Sequence, residues 1–167
     1  LMKRLQGETQ VLENHHLKRL QEGGIEGCCA VLWVDPPYTS NYEKRLEQLL
    51  VAVKEEMEEC QGAVMVRQLA DIEAAKQEGK YYILLGSEGL SAIGDSLEKM
   101  DNLYDFGLRH AMLTWNEENC LASGAKGNPE HGLTAAGRKM VRHMEEKRMI
   151  VDVSHLNEKS FWGVVDT

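Results

Sequence analysis

A chain of 167 residues, 43% hydrophobic and 28% charged, has the composition of a folded globular domain, not that of a disordered tail or a coiled-coil rod. Nineteen Lys and Arg against 27 Asp and Glu leave a formal net charge of -8, which repels phosphate backbones and argues against a nucleic-acid partner. No apolar run approaches the roughly 20 residues that span a bilayer and no signal-peptide core sits near the start, so no membrane span and a cytoplasmic location are expected.

Residues 28–34 (CCAVLWV) form a near-continuous apolar run closed by Asp35-Pro36-Pro37, which predicts a strand buried on both faces and then a loop. Tyr42, Leu46, Leu49, Leu50, Val53, Met57 and Cys60 recur at helical spacing with charges on the opposite side, an amphipathic helix. A short apolar run at 63–66 precedes a helix over about 68–78, ended by Gly79. Residues 81–85 (YYILL) are the next strand, running into Gly86-Ser87-Glu88-Gly89. Ile93, Leu97, Met100 and Tyr104 mark a helix stopped by Gly107, and 110–114 (HAMLT) read as a further strand. A Gly/Asn-rich stretch over roughly 115–132 has no periodicity and is longer than most loops of compact domains, so it is functional or mobile. Thr134 then caps a helix, 149–153 (MIVDV) form a strand ending at Ser154-His155, and Asn157 starts a last helix.

Apolar strands alternating with amphipathic helices predict an α/β fold, a parallel sheet covered by helices, in one domain over residues 1–167. Periodicity leaves open whether such a sheet is flat or closes into a barrel. A closed (β/α)8 barrel takes about 250 residues, so this length holds only part of one. Half a barrel exposes sheet edges, and a stable product is then expected to recruit partner chains, a homo-oligomer among them, or to aggregate. The cysteines Cys28, Cys29, Cys60 and Cys120 contain no C-x-x-C pair and read as buried reduced thiols.

In either architecture active sites lie beyond the C-terminal ends of the strands. The residues to weigh are therefore Asp35, Glu88, Trp115 with Asn116, and His155. Glu88, between Gly86 and Gly89, reads either as a carboxylate that approaches a metal or substrate closely, or as a solvated turn acid or helix cap. His155 reads as a metal ligand, or as a hydrogen-bonded core or capping residue. Asp152, three residues earlier, is expected on the opposite face from His155, and Asp35 reads most simply as a Pro-turn residue. His15 and His16 diverge on a helical turn, His110 opens its strand at the wrong end for a site, and no H-E-x-x-H pair exists. The chain also lacks G-x-G-x-x-G, G-x-x-x-x-G-K-[ST] and G-x-S-x-G, which removes dinucleotide, P-loop and nucleophile-elbow readings.

The stretch YYILLGSEGLSAIGDSLEKMDNLYDFGLRHAMLTWNEEN, followed by GLTAAGRKMVRHMEEKRMIVDVSHLNEKSFWGVV, resembles the membrane (renal) dipeptidase family of zinc peptidases. So does HHLKRLQEGGIEGCCAVLWV, and the resemblance runs from about residue 13 to the end. It implies a partial (β/α)8 TIM-type barrel of the metal-dependent hydrolase kind and a peptidase acting on dipeptides with two zinc ions. By resemblance, Glu88 would be the catalytic carboxylate bridging both metals and His155 a ligand of the second. Two such ions about 3.5 Å apart acidify a shared water and polarise the scissile carbonyl. Trp115 stands where well-known members carry a substrate-contacting His; with Asn116 it is the candidate substrate-binding pair.

The family's opening His-x-Asp pair occurs nowhere here, and its remaining zinc His, substrate-binding Arg and proton-transferring Asp lie on later strands, beyond Thr167. The chain thus reads as an incomplete barrel lacking the first strand and the later strands, inactive alone and belonging to a longer dipeptidase. The alternatives are a non-catalytic α/β binding or scaffold protein, and an amidohydrolase-like enzyme acting on N-acyl amino acids.

Overall fold

The structure is a computed structural model, and it describes residues 2–167. Its elements are α1 (Met2–Leu5), a π-helical turn (Glu13–Leu17) running into α2 (Lys18–Glu22), β1 (Gly27–Trp33), and a 3-10 turn (Tyr38–Asn41) running into α3 (Tyr42–Glu59). Then follow β2 (Ala63–Val66), α4 (Leu69–Gln77), β3 (Tyr81–Glu88), α5 (Leu97–Phe106), β4 (His110–Met112), α6 (Ala135–Glu146), β5 (Ile150–Asp152) and α7 (Glu158–Val165). The helix starts are set by local side chains: Asn41, Ser96, Thr134 and Asn157 each accept a backbone N–H three residues on. Gly107, at φ 135°, ends α5.

All strand pairings are parallel, and β3 is their centre. β1 runs along one edge of β3, from Gly27 opposite Tyr82 to Trp33 opposite Glu88. The other edge takes β2 first, Ala63–Val66 against Tyr81 to Leu84, and then β4, His110 opposite Gly86 to Met112 opposite Glu88. β5 extends the sheet beyond β4. The sheet stays open.

Strand alternation divides the sheet into two unlike faces. On one, Leu32, Leu85, Ala111 and Leu113 pack with Met100 and Leu103 of α5 and with Met140, Val141 and Met144 of α6. A smaller cluster of Leu17, Cys60, Ala63, Tyr81 and Ile83 lies at the other end of β3. The opposite face carries Cys29, Val31 and His110, whose side chains surround the space a Cβ on Gly86 would fill.

This corrects the expectation that the first strand is buried on both faces. Cys28, Cys29 and Val31 are exposed, and of the four free thiols only Cys60 is buried. The cause is topological for Cys29 and Val31: β1 is an edge strand, and their face, opposite Leu32, carries no helix. Loop 115–132, which has no periodic signal, is packed in its first part, while residues 125–131 lie toward solvent. Leu121, Ala122 and Ser123 are wholly buried, and the Asn119 side chain accepts from the N–H groups of Leu121 and Ala122 while donating to the Leu113 carbonyl.

Candidate active site

Glu88 is the last residue of β3, so strand geometry points its carboxylate out of the sheet at the C-terminal end. Beyond β5 the chain turns sharply. Asp152 Oδ1 accepts the Ser154 N–H at 2.7 Å, and His155 adopts a left-handed conformation, φ 66°. A non-glycine residue there is strained and needs support from its surroundings. Loop 115–132 supplies it: the Ala125 N–H donates to the His155 carbonyl at 2.7 Å, and the Asn157 N–H donates to Ser123. Gly124 allows the approach, since a Cβ there would come within 2.5 Å of the carbonyl oxygens of Trp115 and Glu117.

The turn brings His155 Nε2 to 3.0 Å from Glu88 Oε1. The two residues, 67 positions apart in sequence, therefore meet at one mouth of the sheet. The Asn116 amide oxygen lies 3.2 Å from His155 Nδ1. Both ring nitrogens thus face acceptors. One arrangement satisfies them with an imidazolium; the other with a neutral ring protonated at Nδ1, leaving Nε2 and the carboxylate free for a shared cation. The donor chemistry fits a divalent metal, with Asn116 fixing the tautomer. No group of three or more His, Cys, Asp or Glu able to hold a metal occurs among the described residues.

Trp115 stands between Trp33 and His155, with ring centroids at 5.3 and 6.3 Å respectively. Beside it opens a cleft of about 230 Å³ lined by Trp33, Tyr42, Glu88, Ser91, Trp115 and Glu117 among others. Burial, with the Glu117 charge adding to it, raises the Tyr42 hydroxyl above its ordinary range despite its bond to Ser91. Trp33 and Glu117 carry no distinct signal in the sequence. Trp33 hides at the end of an apolar run, and only the register that sets it opposite Glu88 reveals its place.

Beneath the mouth, His110 Nε2 meets Asp152 Oδ2 at 2.7 Å. Burial alone raises the Asp152 carboxyl, but the hydrogen bonds from Ser154 and from His110 outweigh it and hold the group below its ordinary value. Asp152 therefore shares the face of His110 and Gly86, and that is also the side on which His155 meets Glu88. The expected opposition of Asp152 and His155 fails because β5 ends at Asp152: alternation stops where the left-handed turn begins. Asp35 is more than a turn residue, since it pairs with the buried Arg45 at 3.1 Å. His131 pairs with Glu118 and His143 with Asp101, and His15 and His16 are exposed.

A sequence model of the membrane dipeptidase family, peptidase family M19, matches residues 2–167. The chain belongs to that family. A relative in Acinetobacter calcoaceticus, described as an uncharacterized protein in the PQQ-III 3' region, is 29% identical over 177 residues, covering 90% of this chain and 56% of that protein. Dipeptidase tcpJ of Claviceps purpurea is 33% identical over 104 residues, 61% of this chain and 24% of that protein. Among solved structures, the metallopeptidase dipeptidase AC superposes with a TM-score of 0.82 at 23% identity over 94% of this chain and 54% of that one. A metallopeptidase from Rhodobacter sphaeroides, bound to a phosphinate mimic of the dipeptide L-Ala-D-Ala, gives 0.76 at 21% identity over 94% and 56%. This M19 chain thus spans about half the length, or less, of these proteins. Its open parallel sheet with covering helices has the TIM-barrel-like fold of the dipeptidase structures. No described helix is long and apolar enough to cross a membrane.

Proposed function

We propose that the protein to which this chain belongs is a zinc-dependent dipeptidase, and that Glu88 and His155 are two of its metal ligands. The observation that carries the reading is the meeting of the Glu88 carboxylate and the His155 imidazole, 3.0 Å apart beyond the C-terminal ends of two parallel strands. A carboxylate has two oxygens with which to span a metal pair, and the imidazole offers one directed nitrogen. Bound there, a zinc pair supplies an acidified water and polarises the peptide carbonyl. The chain's own residues do the positioning. Asn116 holds His155 with Nε2 toward Glu88, and loop 115–132 fixes the turn that carries His155. Trp115 and Trp33 wall the adjacent cleft, the place for a substrate side chain. A carboxylate and one imidazole are too few ligands for a catalytic pair, so the 167-residue chain alone is expected to hydrolyse no dipeptide.

The test uses the full-length protein. Metal analysis is expected to find about two zinc ions per chain, and a dipeptide panel to show hydrolysis. Glu88→Gln and His155→Ala are each expected to lower both bound zinc and kcat/KM, the latter more than about a hundredfold. Full-length protein that purifies without metal and turns over nothing after zinc addition would instead favour the non-catalytic scaffold. Turnover of N-acyl amino acids without dipeptides would favour the amidohydrolase-like alternative.

A further inference from the structure

The cleft beside Glu88 has a composition that selects its occupant. Three aromatic side chains, Trp33, Tyr42 and Trp115, line it together with the carboxylates of Glu88 and Glu117, and no Lys, Arg or His is among its lining residues. Its volume of about 230 Å³ falls below the roughly 300–1,000 Å³ of pockets that take whole drug-sized ligands, which suits a single side chain. Glu117 is half-buried and takes one hydrogen bond from the Ser91 hydroxyl at 2.8 Å; no basic side chain of the described residues pairs with it. An apolar guest would strip water from this carboxylate and return no partner, and an anionic guest would meet its like charge. A cationic guest meets both the acid and the aromatic side chains.

We infer that this cleft is the specificity pocket of the proposed dipeptidase for a cationic side chain, Lys or Arg, of its dipeptide substrate, with Glu117 as the counter-ion. The inference rests on the peptidase reading, in which Glu88 is engaged by metal and Glu117 is the carboxylate left to the guest. Trp33 and Trp115 supply aromatic walls, and Ser91 and Tyr42 hold the acid's side of the cleft.

The decisive comparison uses the full-length, zinc-loaded protein and near-isosteric substrates that differ by one ammonium group: Lys-Ala against norleucine-Ala, and Ala-Lys against Ala-norleucine. In one of the two positions kcat/KM is expected to favour Lys by about tenfold, and the ratio to fall toward one in Glu117→Gln. Gln keeps an oxygen for the Ser91 hydroxyl, so the wall of the cleft survives the change. Equal turnover of Lys and norleucine substrates at both positions overturns the inference, as does a Lys preference that Glu117→Gln leaves intact. Titration calorimetry with the same dipeptides separates this result from the parent reading. Tighter binding of a Lys dipeptide than of its norleucine counterpart, levelled by Glu117→Gln, with no turnover of any dipeptide, keeps the pocket and sinks the peptidase. Where no dipeptide is turned over, equal affinities, or no binding, sink the pocket.

Discussion

The two ends of the chain are held by different forces. Around α5 and α6 the structure is fixed by dry packing: Met100, Leu108, Leu113, Leu121, Met140 and Met144 are wholly buried in one cluster. Around α1 no residue is buried and polar tethers take over, whereas the turn into α2 is anchored by Leu17 in the smaller apolar cluster. Arg4 bonds to Glu55, Glu56 and Glu59 of α3, and Glu56 accepts the backbone N–H groups of Val11 and Leu12. Apolar burial is non-directional and has no charge to screen or titrate, whereas ion pairs at a surface are screened and titrate. The half that carries Glu88 and His155 is thus the rigid half, and the segment ahead of the Leu17 anchor is a strap that solution conditions release.

The sharpest way to break this contrast is to hollow out the packed half. Leu113→Ala removes a wholly buried side chain between the sheet and its helices, and is expected to cost about 2–5 kcal/mol by urea unfolding. The same cavity lies one strand away from the mouth, so Trp115 fluorescence should change with it. A cost under about 1 kcal/mol would mean that the cluster is loosely packed and the contrast false.

A smaller effect is expected from the pair beneath the mouth. Asp152→Ala leaves the Ser154 N–H and the His110 ring without their acceptor, at about 1–3 kcal/mol. Its pH dependence has a definite sign. The folded Asp152 carboxyl sits below its ordinary value, so its stabilisation is fully present above about pH 4 and is lost as pH falls through the folded value. Wild type should therefore lose more stability than Asp152→Ala on acidification below pH 4. Parallel acid curves for the two proteins would refute the coupling.

Much of this architecture was legible in the sequence because it rests on periodicity and caps. The stripe from Tyr42 to Cys60 is α3, and Thr134 and Asn157 are the N-caps of α6 and α7. What stayed hidden depends on tertiary context. The N-terminal helices are short and bury almost nothing, so they leave no stripe to read. Loop 115–132 is ordered by single polar side chains such as Asn119, which periodicity does not register. For the candidate site, Glu88 and His155 were visible as residues following apolar runs. Their meeting depends on the left-handed turn at His155, and the cleft depends on the register that sets Trp33 opposite Glu88. Neither is encoded at short range.

The finest probe of the contrast is acid applied to the strap alone. Arg4 donates to three glutamates, and its hydrogen bond to Glu59, with burial opposing and the other two glutamates adding, pushes its pKa further up. That same bond, joined by the Gln10 N–H, pulls the Glu59 carboxyl down to about 2. A depressed carboxylate stabilises fully above its unfolded value of about 4.3 and loses that contribution as pH falls toward about 2. Between those limits the strap should loosen while the dry core holds. Hydrogen exchange is expected to rise first in residues 2–12 and to leave α5 and α6 protected. Arg4→Ala should produce the same pattern at neutral pH, with the urea midpoint nearly unchanged. If α5 and α6 exchange in step with the N-terminal segment, the two halves unfold as one, and the division between packing and tethers does not govern how the molecule comes apart.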